Sequence, residues 1–134
     1  MKTKGFTLVE LLVVIAILAI LATVSVVGYT SYIQNANDSV AVQELSQLRD
    51  SALAVDLTKS EGGNMDGKVS VGEFKEALTN AGITFNENVF VITHENKEGV
   101  DAAKQIVTKV VYKHSNGGVA TWTVSGDKVE AGEK

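Results

Sequence analysis

Apolar residues are spread unevenly along the chain, and the densest stretch is Phe6–Val27. An unbroken apolar run fills residues 11–22, and only Thr23 and Ser25 interrupt the pattern after it. A helix of roughly 20 mostly apolar residues, rising about 1.5 Å per residue, crosses the hydrocarbon core of a bilayer. The pattern therefore predicts a membrane-spanning helix over residues 6–28.

The helical period continues past Gly28, although the composition becomes polar. Apolar residues at helical spacing form one stripe, which consists of Ile33, Val40, Ala41, Leu45, Leu48, Ala52 and Val55. One continuous helix is therefore predicted from Phe6 to Lys59, and the glycine pair at 62–63 ends it. The stripe needs a partner surface, which the rest of the chain must supply.

The last part of the chain favours strands. A short helix is predicted first, over residues 71–81, and Asn80-Ala81-Gly82 is its stop signal. Three runs rich in β-branched and aromatic residues follow, at 88–94, 105–114 and 119–124. The sequence Asn116-Gly117-Gly118 is typical of a hairpin turn. The tail over 126–134 is charged and is expected to fray. The predicted fold class is α+β, with a long N-terminal helix packed on a three-stranded antiparallel sheet.

Composition excludes several kinds of chemistry. The 134-residue chain has no cysteine, which excludes disulfides, thiolate metal sites and cysteine nucleophiles. Its formal net charge of −4 argues against a nucleic-acid partner, which selects a basic face. The two histidines, His94 and His114, are predicted to be surface or strand residues. No combination of nucleophile, base and orienting residue is visible, so an enzyme is not predicted.

One carboxylate, Glu10, lies inside the apolar stretch. A carboxylate at the centre of a membrane helix costs about 2.5–3.5 kcal/mol on insertion scales, and such residues usually have a functional partner. After Gly5, no cationic residue lies within one helical turn of Glu10, so the partner of Glu10 must come from elsewhere. A cut between Gly5 and Phe6 would create an α-amino group. That group could pair with Glu10 of the same chain, four residues along one helix face, or with Glu10 of a neighbouring chain.

Two ordinary interpretations of this segment stay open. Lys2 and Lys4 precede the apolar run and favour a cytoplasmic N-terminus. The segment also suits a secretory signal peptide, cleaved near the small residues of 19–25. A plain signal anchor is the other interpretation, but it leaves Glu10 unexplained.

The sequence Lys4-Gly5-Phe6-Thr7-Leu8-Val9-Glu10, with the apolar helix after it, resembles the class III signal segment of type IV pilins and pseudopilins. In that family a prepilin peptidase cuts after the glycine on the cytoplasmic side and N-methylates the exposed residue. The resemblance implies cleavage between Gly5 and Phe6, methylation of Phe6, and an assembly role for Glu10. It covers only the N-terminal part of the chain.

The resemblance also implies a domain organisation. Residues 1–5 would be the leader peptide, 6–28 the transmembrane and filament-core helix, and 29–134 an extracellular head. The head would consist of an amphipathic helix half at 29–59, a loop with the short helix at 60–82, and the antiparallel sheet at 88–125.

The implied function is a structural subunit of a type IV pilus. The implied partners are other pilin subunits, the prepilin peptidase, an assembly ATPase, a platform membrane protein and, before assembly, the membrane. The protein would be a single-pass precursor in the cytoplasmic membrane and then part of a cell-surface filament. The alternatives are a pseudopilin of a type II secretion or competence system, and a membrane-anchored extracellular binding module that never polymerises.

A second candidate site lies at 62–73, where Gly67 aligns with the invariant glycine of an EF-hand calcium loop. The candidate ligands are four side chains and one carbonyl, from Asn64, Asp66, Ser70, Glu73 and, through its carbonyl, Lys68. The first position is a glycine without a ligand, so the loop predicts weak, millimolar binding. The alternative is a turn followed by a capping box between Ser70 and Glu73. No cofactor other than calcium is expected.

Overall fold

The computed structural model describes residues 5–59 and 67–133, and the chain divides into two compact units, 1–34 and 35–134. Helix α1 spans Leu8–Lys59. The prediction of one long N-terminal helix is therefore confirmed, with its start at Leu8 rather than Phe6. The glycine pair predicted to end it lies outside the described residues.

Within the second unit, α1 contributes one apolar face to the core. Its buried apolar residues are Ala41, Leu45, Leu48, Ala52 and Val55. Two other members of the predicted stripe are exposed, Ile33 by 38% and Val40 by 40%. At 3.6 residues per turn Val40 lies about 100° away from Ala41, at the margin of the face, and Ile33 belongs to the first unit. The stripe was therefore predicted too wide.

Helix α2 spans Val71–Asn80 and packs on the same core. The residues predicted to share its apolar face are all buried, namely Val71, Phe74, Ala77 and Leu78. The helix ends one residue before the predicted position, and Gly82 follows with a positive φ of 75°.

The sheet has four antiparallel strands in the order β1-β2-β3-β4. Their bounds are β1 Phe90–His94, β2 Val107–Lys113, β3 Val119–Thr123 and β4 Lys128–Ala131. Two short 3₁₀ helices, Ala102–Lys104 and Val124–Gly126, precede β2 and β4. Trp122 of β3 is completely buried, and its ring centroid lies 6.3 Å from that of Phe74. The α+β class is confirmed, but the prediction of three strands is wrong.

The fourth strand forms where the tail was expected to fray. Asp127 reverses the chain in a left-handed conformation, with φ 45°, and its carboxylate accepts a hydrogen bond from Trp122 Nε1 at 3.3 Å. Val129 then pairs with Trp122, while Lys128 and Glu130 form an ion pair at 2.6 Å. The alternation of charged and apolar residues is that of an edge strand, which the charge of the tail concealed.

The turn between β2 and β3 is bound to α1 by polar contacts. Asn37 Nδ2 donates to the carbonyl of Asn116 at 3.0 Å, and the backbone N–H of Val119 donates to Asp38 Oδ1 at 3.0 Å. A Cβ atom at Gly118 would lie only 2.1 Å from the carbonyl oxygen of Asn37. The turn therefore requires glycine at this position, because the helix backbone approaches too closely for a side chain.

A third side chain of α1, Glu44, contacts the end of β2. Tyr112 donates its hydroxyl to Glu44 Oε2 at 2.5 Å, and His114 Nε2 lies 3.4 Å from the same oxygen. Burial, and then the hydrogen bond to Glu44, raise the pKa of Tyr112 well above its usual value. The phenol therefore stays protonated at physiological pH and keeps donating to the helix.

We expect Gly118→Ala to destabilise the second unit by about 1–3 kcal/mol, the usual cost of overpacking. The measurement is urea unfolding of the full chain in detergent micelles, followed by the fluorescence of Trp122, the single tryptophan. Gly126→Ala is the matched control, because a Cβ there meets nothing within 4 Å. Equal unfolding midpoints for the two variants would contradict the close approach.

Candidate functional site at the N-terminal segment

The first part of α1 presents apolar side chains on every side. From Leu8 to Val27 the large apolar residues are between 48% and 79% exposed. In the part of the chain that the structure describes, α1 is the one helix long and apolar enough to cross a membrane, by length and composition. An apolar surface of this extent requires lipid or another protein surface to cover it.

The helix begins with a capping box that joins Thr7 and Glu10. The backbone N–H of Thr7 donates to Glu10 Oε2 at 2.8 Å, and the backbone N–H of Glu10 donates to Thr7 Oγ1 at 3.3 Å. Thr7 is thus the N-cap residue, and its carbonyl accepts the N–H of Leu11 at 3.2 Å. The cationic partner of Glu10 stays a prediction, but within the chain its carboxylate already closes the capping box. The signal for it was a threonine three residues before a glutamate at the start of an apolar run.

Gly5 and Phe6 precede the helix and are exposed. The side chain of Phe6 is 91% exposed, and a Cβ at Gly5 would meet nothing within 4 Å. In the uncleaved chain α1 starts at Leu8, so Phe6 lies before the helix. The pairing of its amino group with Glu10 after cleavage stays a prediction. The predicted scissile bond between Gly5 and Phe6 lies in an open, non-helical segment.

The geometry at Glu10 suits a carboxylate that binds two partners at once. It lies in the first helical turn, where the positive end of the helix dipole stabilises a negative charge. Only one of its oxygens accepts a hydrogen bond from the described residues, and a carboxylate offers about four lone-pair sites. The group can therefore hold the helix cap and bind a cation at the same time.

The structure tests the candidate calcium loop in part. Asn64 and Asp66 lie outside the described residues. Ser70 Oγ accepts the backbone N–H of Glu73 at 3.2 Å, and Glu73 Oε2 accepts the N–H of Ser70 at 2.7 Å. The alternative of a capping box is therefore confirmed. Among residues 5–59 and 67–133, no group of three or more acidic or histidine side chains is placed to hold a metal ion. Weak calcium binding stays the untested alternative to the capping box.

Comparison with known proteins identifies the N-terminal segment. Residues 1–26 match the family model described as the prokaryotic N-terminal methylation motif. No curated protein sequence and no solved structure matches the chain. The segment is thus the class III signal of type IV pilins and pseudopilins, as its residues indicated. The motif implies processing by prepilin peptidase and polymerisation, and it indicates a structural subunit rather than an enzyme. It fits a membrane-anchored precursor that is exported to the surface.

We expect Glu73→Gln to leave the thermal stability close to that of the natural sequence, because glutamine also closes a capping box. Ser70→Ala should cost about 1 kcal/mol through loss of the cap. The Tm of neither variant should change on addition of about 5 mM CaCl₂, a concentration above the usual dissociation constants of weak extracellular sites. Unfolding of the full chain in detergent micelles, followed by circular dichroism, provides the measurement. A calcium-dependent rise in Tm that Glu73→Gln abolishes would instead assign Glu73 as a ligand.

Proposed function

We propose that the chain is the structural subunit of a type IV pilus filament. The observation that carries the proposal is the N-terminal segment as a whole. It is an exposed apolar helix whose first turn is closed by the capping box of Thr7 and Glu10, and it lies inside a matched methylation motif. A binding module that is only anchored needs the apolar length, and the helix cap would account for Glu10 in it. Such a module has no use for the cleavage and methylation that the matched motif implies.

Assembly follows from the surface that α1 presents. In the precursor, lipid covers the apolar side chains of 6–28. Once a subunit leaves the bilayer, burial of these side chains against neighbouring helices contributes about 25 cal/mol per Å² relative to water. The first parts of the helices thereby form the fibre core, and the second units, in our proposal, lie outside it.

Glu10 sets the axial position of each subunit. Cleavage after Gly5 removes the two lysines of the leader and creates an α-amino group on Phe6, which the peptidase then methylates. The free oxygen of Glu10 pairs with the amino group of a neighbouring subunit, so both charges are satisfied when the helices are in register. An assembly ATPase and a platform membrane protein supply the work of extraction. The filament carries no direct nucleic-acid contact.

The exported chain is expected to begin with N-methylated Phe6. Open backbone around Gly5 and Phe6 gives the peptidase access to the scissile bond. Mass spectrometry of the N-terminal peptide, from material sheared off the cell surface, measures both the cut and the added methyl group. Gly5→Leu is expected to leave the leader attached. A chain that begins at Met1, or beyond Val27, would contradict the proposal.

Substitution of Glu10 separates assembly from membrane insertion. Glu10→Ala and Glu10→Gln should both remove filaments from the sheared fraction, because neither side chain carries the charge. Both should insert into the membrane as well as the natural sequence or better, since the buried charge is gone. Electron microscopy of the sheared fraction and quantitation of the membrane fraction give the two readouts.

Leu12→Ala is the control, because it shortens a neighbouring apolar side chain without touching the capping box. Filaments formed by Glu10→Gln would show that the cap alone is required, since glutamine can also close it. Short fibres that stay within the cell envelope would instead favour a pseudopilin. Unchanged surface display with no filaments from the natural sequence would favour a module that does not polymerise.

A further inference from the structure

Strand β1 lies at one edge of the sheet, and part of its backbone faces away from β2. Lys113 N–H donates to the carbonyl of Val89 at 2.8 Å, and the register of the two strands makes these residues direct partners. In an antiparallel pair, hydrogen-bonded partners alternate with partners that are not bonded to each other. Val91 and Thr93 therefore bond to β2, whereas the N–H and C=O of Ile92 point outward.

The same alternation leaves Ile92 as the open position of this edge. The outward N–H of Phe90 is already used, because it donates to the carbonyl of Asn86 at 2.8 Å. No described residue forms a hydrogen bond with the outward N–H or C=O of Ile92. One donor and one acceptor, spaced as a strand requires, are thus available at the edge.

A groove of about 340 Å³ runs beside this edge. Its apolar walls come from Val71 of α2, Phe85 of the connection into β1, and Ile92. Lys75 and Glu87 lie at its rim, and Lys75 Nζ is 4.4 Å from the centre of the Phe85 ring. The volume is at the lower end of the range for ligand pockets and suits one or two side chains.

The two edges of the sheet differ in how they are protected. Natural edge strands are usually short and carry charged residues, which prevent pairing with another strand. The opposite edge, β4, has four residues, and Lys128 and Glu130 form an ion pair on it. The five residues of Phe90–His94 include no lysine, acidic residue or proline. The groove described above lies beside the unprotected edge.

We infer that the β1 edge binds an extended peptide segment of a partner protein, which adds a fifth strand next to Ile92 and places an apolar side chain in the groove. Backbone bonds to Ile92 hold the strand, and the groove selects apolar residues at alternate positions, because alternate side chains of a strand point to one face. The other occupant that such an edge admits is a second copy, paired through β1 by two-fold symmetry, and sedimentation separates the two outcomes. This inference does not depend on filament assembly.

The probe is a capped peptide of alternating residues, Lys-Thr-Val-Thr-Val-Thr-Val-Lys. It is titrated into the full chain in detergent micelles, and amide chemical shifts are followed by NMR. We expect saturable shifts centred on 91–93 and on Phe85. Ile92→Pro should lower the affinity at least about tenfold, which corresponds to the loss of one hydrogen bond. Proline is tolerated here, since the missing N–H faces away from the ladder.

Ala131→Pro is the matched control, because it removes an outward N–H from the opposite edge strand and should leave the affinity unchanged. Val91→Lys should also weaken binding, because a charged residue on an edge strand opposes pairing. It leaves the core side chain of Ile92 in place, so a loss of binding by this variant cannot be due to misfolding of the proline variant. The inference is overturned if the peptide causes no saturable shifts. Equal binding of a peptide whose valine amides are N-methylated would also overturn it. A third contrary result is that the natural chain sediments as a dimer and Ile92→Pro sediments as a monomer. The occupant of the edge would then be a second copy.

Discussion

The second unit depends on close contact between one face of α1 and the inner face of the sheet. Ala41 and Ala52 are completely buried on that face, and Leu45 between them is buried as well. These residues belong to one core cluster with Phe74 of α2 and the fully buried Trp122 of β3, whose ring centroids lie 6.3 Å apart. The chain has no disulfide to hold these layers together. Packing therefore carries the stability, and a polar contact in the middle part of α1, over residues 37–44, fixes how the layers are aligned.

That contact is formed by residues with no role in the apolar core. Asn37, Asp38 and Glu44 each bind a group from the β2–β3 hairpin, two of them through its backbone. Hydrogen bonds of this kind contribute about 0.5–1.5 kcal/mol each, less than burial of the core, but they are directional. They define which residue of the hairpin lies opposite which turn of the helix. Apolar contacts alone would let the hairpin slide along the helix.

Local signals in the sequence were sufficient for several elements. Ser70 and Glu73 start α2 through side chains three residues apart, and the glycines at 117–118 form the predicted turn. The fourth strand could not be predicted in this way, because its four residues become a strand only beside β3. The same limit applies to Ile33 and Val40. Helical spacing places both near the apolar stripe, but the width of the covered face depends on the sheet. The Thr7–Glu10 capping box was a local signal and could have been found.

The N-terminal segment and the second unit differ in how much of their function the sequence contains. The segment is linear, so a family model matches it over residues 1–26, and the roles that we propose for Gly5, Phe6 and Glu10 follow from their spacing. The β1 edge depends on which strand lies last in the sheet and on which amides face outward. Both properties follow from register, which no short motif encodes. In our two proposals no residue contributes to both sites, so a substitution in either site tests that site alone.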